Sequence, residues 1–382
     1  MLTSVNVIMH PSMKIVIDQN IPGVNETFAH HGEVFKTDGR QLSPVHLAGA
    51  RALIVRSVTA VNRELLHGTA VEFVGTTTIG TDHLDIPWLE QHGIRWASAP
   101  GCNADAAAQY TLGMITLAGR RLGFEITNRS LGIIGHGNVG SRVHRLLTGL
   151  GVRLIKVYDP PLADAGHPEL CQLEELADCD VISFHVPLID TGPYPTMGLV
   201  SEAYLSALRP GTLLVNTSRG KVTRGPSLRR WLTSGLGHAA LDVWPDEPDI
   251  DIALLEATTV ATPHVAGYSL DGKLRGTQMV YREFCNWLKV TPNDQDLLSG
   301  LVVDSSLSSP VRAVDDAILT ACPVERDDAA LRKLAGISAE SRPAYFDALR
   351  HNYPERRDFA GWQVPPDTSK EHTQTLQTLG FH

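Results

Sequence analysis

A short apolar run that breaks at three closely spaced glycines and resumes with helical spacing leaves a chain few folds to choose from. Here that run is Leu131-Gly-Ile-Ile-Gly-His-Gly-Asn-Val-Gly140, continuing into Ser141-Arg-Val-His-Arg-Leu-Leu147. Its β-branched part reads as a buried strand, and Arg142 to Leu147 as helix. Gly135, Gly137 and Gly140 fall at the turn, where they serve a tight reversal, a close approach of backbone to a pyrophosphate, and close packing of helix on strand. Phosphates then sit on the free N–H groups of the helix N-terminus. A lone GxGxxG is a weak signal, but a second apolar strand, Leu154 to Tyr158, follows after a helix-length gap and ends at Asp159. An acid there meets the ribose hydroxyls of NAD and repels the extra phosphate of NADP, so NAD is the expected cofactor.

At 382 residues the chain exceeds one typical core, which predicts two or three domains. A net charge of −9, with basic residues spread throughout, excludes a nucleic-acid surface. Any anionic substrate must therefore be met by a few placed cations. The five cysteines, Cys102, Cys171, Cys179, Cys285 and Cys322, are scattered and lack a CxxC, which points to a reducing, cytoplasmic setting and to no metal site. No apolar run reaches membrane-spanning length. Residues 1–12 make a poor signal peptide and are expected to be a disordered leader ahead of the strand Lys14-Ile-Val-Ile17.

From Met13 to about Ala107, the apolar runs Lys14–Asp18, Ala52–Val55, Phe73–Gly75 and Arg95–Ala97 read as strands with helices between them. That alternation predicts a parallel sheet covered on both faces. Ligands of such sheets bind at the carboxyl ends of the strands, which here carry Arg56-Ser57, Thr76 to Asp82 with Thr78 among them, and Pro100 to Ala104. Ala106 to Arg121 is apolar at helical spacing and reads as a bridge to the nucleotide domain. Later strands end in His185, in Thr217-Ser-Arg-Gly220, in Trp244-Pro-Asp-Glu-Pro248 and in Pro263-His264.

Three successive strand ends thus offer Arg219, Glu247 and His264. Each alone has an ordinary explanation as turn chemistry. Together beside a dinucleotide they suit hydride transfer from a 2-hydroxy acid. Histidine exchanges a proton near working pH, a carboxylate orients the ring and favours its charged form, and a planar guanidinium holds a substrate carboxylate bidentately.

Gly135-x-Gly-x-x-Gly140 with Asp159, Asn216-x-x-Arg-Gly220, Asp242-Val-x-x-x-Glu-Pro248 and Thr262-Pro-His264 resemble the motifs of the D-isomer-specific 2-hydroxyacid dehydrogenases over nearly all of residues 13–290. Val55-Arg-Ser-Val-Thr59, Gly80-Thr-Asp-His83, Ala99 to Ala104, Gly192-Pro-Tyr194 and His264 to Lys273 are similar to signatures of one branch, which oxidises a phosphorylated four-carbon D-2-hydroxy acid for pyridoxal 5′-phosphate synthesis. The resemblance implies two Rossmann-like, doubly wound α/β domains with a cleft between them, and a small C-terminal α+β dimerisation domain. Its bounds would be 13–107 with 268–292 for the substrate-binding lid, 108–267 for the NAD-binding domain and 293–382 for the part that makes a homodimer. The resemblance also implies Arg219, Glu247 and His264 as catalytic residues and Ser57, Thr78 and Tyr268 as substrate contacts. It implies NAD contacts at Asn138, Val139, Asp159, Val186, Thr217, Ser218, Arg219, Asp242 and Gly267.

Gln109 stands where this family usually has Glu, Arg224 where Asp commonly follows the Arg-Gly turn, and Val186 where Thr is found in that branch. Other readings are a sibling acting on 3-phosphoglycerate or another D-2-hydroxy acid, and an NAD-sensing protein without turnover. The intact trio weighs against the sensor. Glu rather than Gln beside the histidine weighs against formate as substrate.

Overall fold

The computed structural model describes residues 13–293, 297–299, 301 and 305–382. The expected leader, residues 1–12, lies outside the described residues. The chain divides into two compact units, residues 1–103 with 270–301 and residues 104–269 with 302–382.

In the first unit, β1 (Lys14–Asp18), β2 (Glu33–Thr37), β3 (Ala50–Val55), β4 (Phe73–Thr76) and β5 (Arg95–Ala97) form one sheet in the order β2-β1-β3-β4-β5. Every pairing is parallel. Side chains alternate across the sheet. Ile15, Ile17, Ile54 and Phe73 therefore pack with Tyr281 and Phe284 of the Leu270–Leu288 helix, while Val16, Leu53, Val55 and Val74 pack with Leu65, Leu66 and Leu89. Gly75 brings that helix close, since a Cβ there would lie 2.4 Å from Val280 Cγ1. The strand order reverses between β1 and β3, whose ends carry Asp18 and Arg56.

The second unit holds β6 (Ser130–Ile134), β7 (Leu154–Tyr158), β8 (Val181–Phe184), β9 (Thr212–Asn216), β10 (Gly237–Leu241) and β11 (Val260–Ala261), again all parallel, in the order β11-β10-β9-β8-β6-β7. Order reverses between β6 and β8, and the crevice outside their carboxyl ends is where such sheets take ligands. The Ala104–Leu122 helix is buried along nearly its whole length and packs with the Asn138–Leu150 helix on one face.

Residues 305–382 are mainly helical, with helices Val314–Ala321, Val324–Arg332, Arg342–His351 and Lys370–Leu379. A two-residue parallel pairing joins Ser305–Ser306 to Trp362–Gln363. Ile318, Phe359, Leu376 and Leu379 share one apolar cluster with Leu131, Val143 and Leu146. Leu331, Leu334 and Phe346 join a second cluster with Trp231 and Trp244. No helix among the described residues is long and apolar enough to cross a membrane.

Candidate active site

The three glycines after β6 differ in what surrounds them. Gly135 has φ +89°, and a Cβ on it would lie 2.7 Å from the His185 carbonyl oxygen. A Cβ on Gly140 would lie 1.9 Å from the Gly135 carbonyl oxygen, so helix and strand pack there with no room for a side chain. Nothing lies within 4 Å of the Cβ position of Gly137. The middle glycine is thus open, at the N-cap of the Asn138–Leu150 helix, and no side chain caps that end. Free N–H groups with a positive dipole end suit a pyrophosphate. Val186 packs against the loop, with its Cγ1 2.8 Å from the Cβ position of Gly135.

Asp159 stands at the end of β7, and both its carboxylate oxygens hold backbone. Oδ2 accepts from His136 N at 2.7 Å and Oδ1 from Leu162 N at 3.1 Å, capping the Pro160–Asp164 helix. The acid is thereby fixed beside the glycine loop, with lone pairs remaining for ribose hydroxyls. His185, at the end of β8, pairs its Nε2 with Ser183 Oγ at 2.9 Å, and burial pushes its pKa down to about 3. It is a neutral side chain at the end of β8.

Two of the three predicted chemical residues meet directly. His264 Nδ1 lies 2.6 Å from Glu247 Oε1, and Glu247 Oε2 accepts from Trp244 N at 3.2 Å. Burial alone pushes the Glu247 carboxyl up, but the hydrogen bond and charge of His264, the Trp244 N–H and the Arg350 charge outweigh it and hold the group below the ordinary carboxylate range. An ionised carboxylate only accepts, so Nδ1 of His264 carries the proton it donates, and the Nε2 lone pair is left to act as base. Arg219 arrives on the neighbouring turn. Asn216 shapes that turn by donating to the Arg219 carbonyl at 3.0 Å and accepting from Ser218 N at 3.0 Å and Ser218 Oγ at 2.8 Å. A Cβ on Gly220 would lie 1.8 Å from the Trp244 carbonyl oxygen, so this turn lies directly on the one that carries Glu247. Thr217 is held from the other side by Thr111 Oγ1 at 2.9 Å.

His264 has φ +56°, a left-handed conformation that a non-glycine residue keeps only when its surroundings impose it. Asp242 imposes it. His264 N donates to the Asp242 carbonyl at 2.7 Å, and the fully buried carboxylate takes Thr262 Oγ1 at 2.7 Å, Val265 N at 2.9 Å and Ala266 N at 3.0 Å. The resemblance implies Asp242 as a cofactor contact; in the structure its carboxylate also holds the loop that carries the imidazole, Gly267 and Tyr268.

In the first unit, Ser57 is exposed after β3, next to Arg56, whose Nε lies 3.0 Å from the buried Asp18. Thr78, after β4, is joined to Thr76 Oγ1 at 2.8 Å, and Thr76 in turn to His83 Nε2 at 2.9 Å. The departures from family pattern have local explanations. Gln109 Oε1 accepts from Phe359 N at 3.0 Å, a bond that the neutral amide makes as well as a carboxylate. Arg224 is the N-cap of the Gly225–Thr233 helix, and Pro226 occupies its first turn, where no N–H is needed. Tail residue Arg356 is 5% exposed and bonded internally. No group of three or more metal-ligating side chains occurs among the described residues, and Cys102, Cys171, Cys179 and Cys322 are free thiols.

Residues 104–266 match the family model described as D-isomer specific 2-hydroxyacid dehydrogenase, NAD binding domain, and residues 298–380 match a domain of unknown function. The chain is 42% identical over 382 residues to erythronate-4-phosphate dehydrogenase of Cellvibrio japonicus, covering 97% of this chain and 99% of that one. It is 43% identical over 379 residues to the enzyme of the same name from Pseudomonas aeruginosa, with 96% and 99% covered. Among solved structures, NAD+-bound 3-phosphoglycerate dehydrogenase of Entamoeba histolytica is similar at 25% identity and TM-score 0.63, covering 73% of this chain and 96% of that one. D-lactate dehydrogenase of Aquifex aeolicus shares the fold at 24% identity and TM-score 0.59, with 72% and 95% covered.

Proposed function

We propose, from the premise that the chain belongs to the erythronate-4-phosphate dehydrogenase family of D-isomer-specific 2-hydroxyacid dehydrogenases, that it oxidises 4-phospho-D-erythronate to (R)-3-hydroxy-2-oxo-4-phosphobutanoate with NAD. The observation that carries this reading is the imidazole of His264, tied through Nδ1 to Glu247 at 2.6 Å and set beside the Arg219 turn. Bound NAD would supply the acceptor for the hydride that leaves C2. His264 Nε2 takes the proton of the C2 hydroxyl, and Glu247 stabilises the imidazolium that forms. The Arg219 guanidinium holds the substrate carboxylate and stabilises the growing 2-oxo group.

The phosphates of NAD would rest on Gly137 and on the N–H groups of Asn138 and Val139, with Asp159 at the ribose and Val186, Thr217, Ser218, Asp242 and Gly267 nearer the nicotinamide. Ser57, Thr78 and Tyr268 would contact the substrate. Residues 13–107 with 268–292 would act as the lid, 108–267 as the NAD-binding domain and 293–382 as the dimerisation domain of a cytoplasmic homodimer working in pyridoxal 5′-phosphate synthesis.

Purified protein is to be assayed for NADH formation with 4-phospho-D-erythronate, 3-phospho-D-glycerate and D-lactate. The highest kcat/KM is expected with the first. Preference for another acid would correct the substrate, and NAD binding without turnover of any acid would favour a sensor. Sedimentation equilibrium tests the dimer, and a monomer at assay concentration refutes it.

A further inference from the structure

The segment His264 to Tyr268 is gripped from two sides, and the second grip comes from far along the chain. Asp242 takes the N–H groups, as described. The carbonyls face Arg356, which donates from Nη2 to Ala266 O at 2.6 Å and from Nε to Tyr268 O at 2.9 Å. These two bonds bracket Gly267. Arg356 is itself held in place. Its guanidinium lies 4.9 Å from the ring centroid of Tyr110, and Nη1 reaches Ala106 O at 3.5 Å and Cys322 Sγ at 3.7 Å. The Tyr110 hydroxyl donates to Asp327 Oδ2 at 2.7 Å, as does the Tyr353 hydroxyl, also at 2.7 Å. Tyr353 then sets its ring edge-on to that of Tyr268, at 5.8 Å and 89°.

We propose that Arg356 is a positioning residue for the reaction. Its guanidinium, supplied by the C-terminal region, fixes the Ala266-Gly267-Tyr268 backbone and through it the imidazole of His264. The inference rests on the reading of His264 as the proton acceptor. Burying a guanidinium is costly unless its donors are satisfied. Here a planar fork satisfies two carbonyls two residues apart, which one flexible ammonium cannot do in the same geometry. Because His264 occupies a conformation that its own backbone disfavours, loss of one grip lets the segment relax, and a displacement of about 1 Å at a reacting group can cost roughly 100-fold in rate.

The test compares wild type with Arg356→Lys and Arg356→Met by three measurements. These are hydrogen exchange in peptides covering 264–269, kcat and KM per folded active site, and the primary isotope effect with substrate deuterated at C2. For Arg356→Lys we expect faster exchange at 264–269 with no change in 130–158. We also expect kcat lower by about 10- to 100-fold, a KM that moves less, and a larger isotope effect as the chemical step becomes limiting. Wild-type exchange at 264–269 in Arg356→Lys overturns the proposal. So does an activity loss that disappears when scaled to folded protein, with the isotope effect unchanged. If Arg356→Met fails to fold, the lysine variant decides. If wild type turns over a different acid, the substrate reading fails and the kinetics are run with that acid. If it turns over none, exchange alone decides whether Arg356 holds the segment.

Discussion

Replacing Glu247 by glutamine keeps the shape of the acid and removes its charge, and the two bonds of the carboxylate set the size of the effect. In the native site Oε1 pairs with His264 Nδ1 at 2.6 Å and Oε2 accepts from Trp244 N at 3.2 Å. An amide has one acceptor oxygen. Turned toward His264, it leaves its NH2 facing the Trp244 N–H; turned toward Trp244, it donates to Nδ1 and moves the imidazole proton to Nε2, the atom that must accept. Two unit charges about 4 Å apart interact by roughly 4 kcal/mol at an effective dielectric of about 20. The side chains are 29% and 26% exposed, so solvent screening leaves about half of that, roughly 2 kcal/mol, for the imidazolium formed at the transition state. An unmet Trp244 N–H adds about 1 kcal/mol. A loss of about 2–3 kcal/mol corresponds to roughly a 30- to 150-fold fall in kcat. The assay is NADH formation at saturating NAD and substrate, with NAD affinity measured separately. A kcat within about threefold of wild type, or a change confined to KM, would refute the reasoning, because either would show that the acid does not act on the proton in flight. The same pair predicts a pH effect. A carboxyl held below its ordinary value adds stability that is present above that value and is lost as pH falls through the lowered one. The Glu247→Gln variant should lose less stability than wild type on acidification, as read by thermal melts across the acid range.

His264→Ala should lose about 100- to 10,000-fold in kcat while binding NAD nearly as wild type does, and unchanged turnover would remove the imidazole from the mechanism. The glycines separate folding from binding. Gly140→Ala drives a methyl toward an oxygen 1.9 Å away and should fold poorly, whereas Gly137→Ala, with nothing within 4 Å, should melt near wild type yet bind NAD more weakly in titration calorimetry. Equal melting points for the two would contradict the roles given to them. Asp159→Ala should narrow the preference for NAD over NADP and, by removing a helix cap, lower stability by about 1 kcal/mol. Michaelis constants for the two cofactors that fail to converge would count against the ribose role.

What the sequence disclosed follows from how local each signal is. β1, β5 and β7 run over the residues their patterns predict: β1 is buried over four of its five residues, and β5 and β7, though edge strands only partly buried, still carry apolar side chains among their polar ones. β2 escapes such a reading. Glu33-Val-Phe-Lys-Thr37 is an edge strand with only one neighbour, and Phe35 is 40% exposed, so nothing forces an apolar run. The trio was legible because each member lies at a strand end beside proline or glycine. The work of Asp242 was not, since a carboxylate bonded to N–H groups more than twenty residues away looks in sequence like any acid at a strand end. Nor does Arg326-Asp-Asp328 show in sequence where its two acids go. Asp327 is 4% exposed and Asp328 2%, with partners at Tyr110 and Arg121 about two hundred residues distant, which no spacing rule can join.

Those buried acids explain why the second sheet can end in so short a strand just before the catalytic loop. β11 has two residues and lies at the sheet edge, where an N–H with no strand beside it is costly unless something else accepts it. Asp328 Oδ1 accepts from Ala261 N at 2.7 Å. A carboxylate buried to that degree requires cations, and Arg121 at 2.9 Å and Arg332 at 3.0 Å provide them. The same two guanidiniums spend further donors on the carbonyls that lead into β11, Arg121 on Thr259 at 2.6 Å and Arg332 on Thr258 at 2.7 Å. An apolar cover would satisfy neither the N–H nor the carbonyls, so this edge calls for paired charges. The C-terminal region supplies Asp328 and Arg332 here and Arg356 at Ala266, five residues beyond Ala261, so it finishes both the strand that leads to His264 and the loop that follows it.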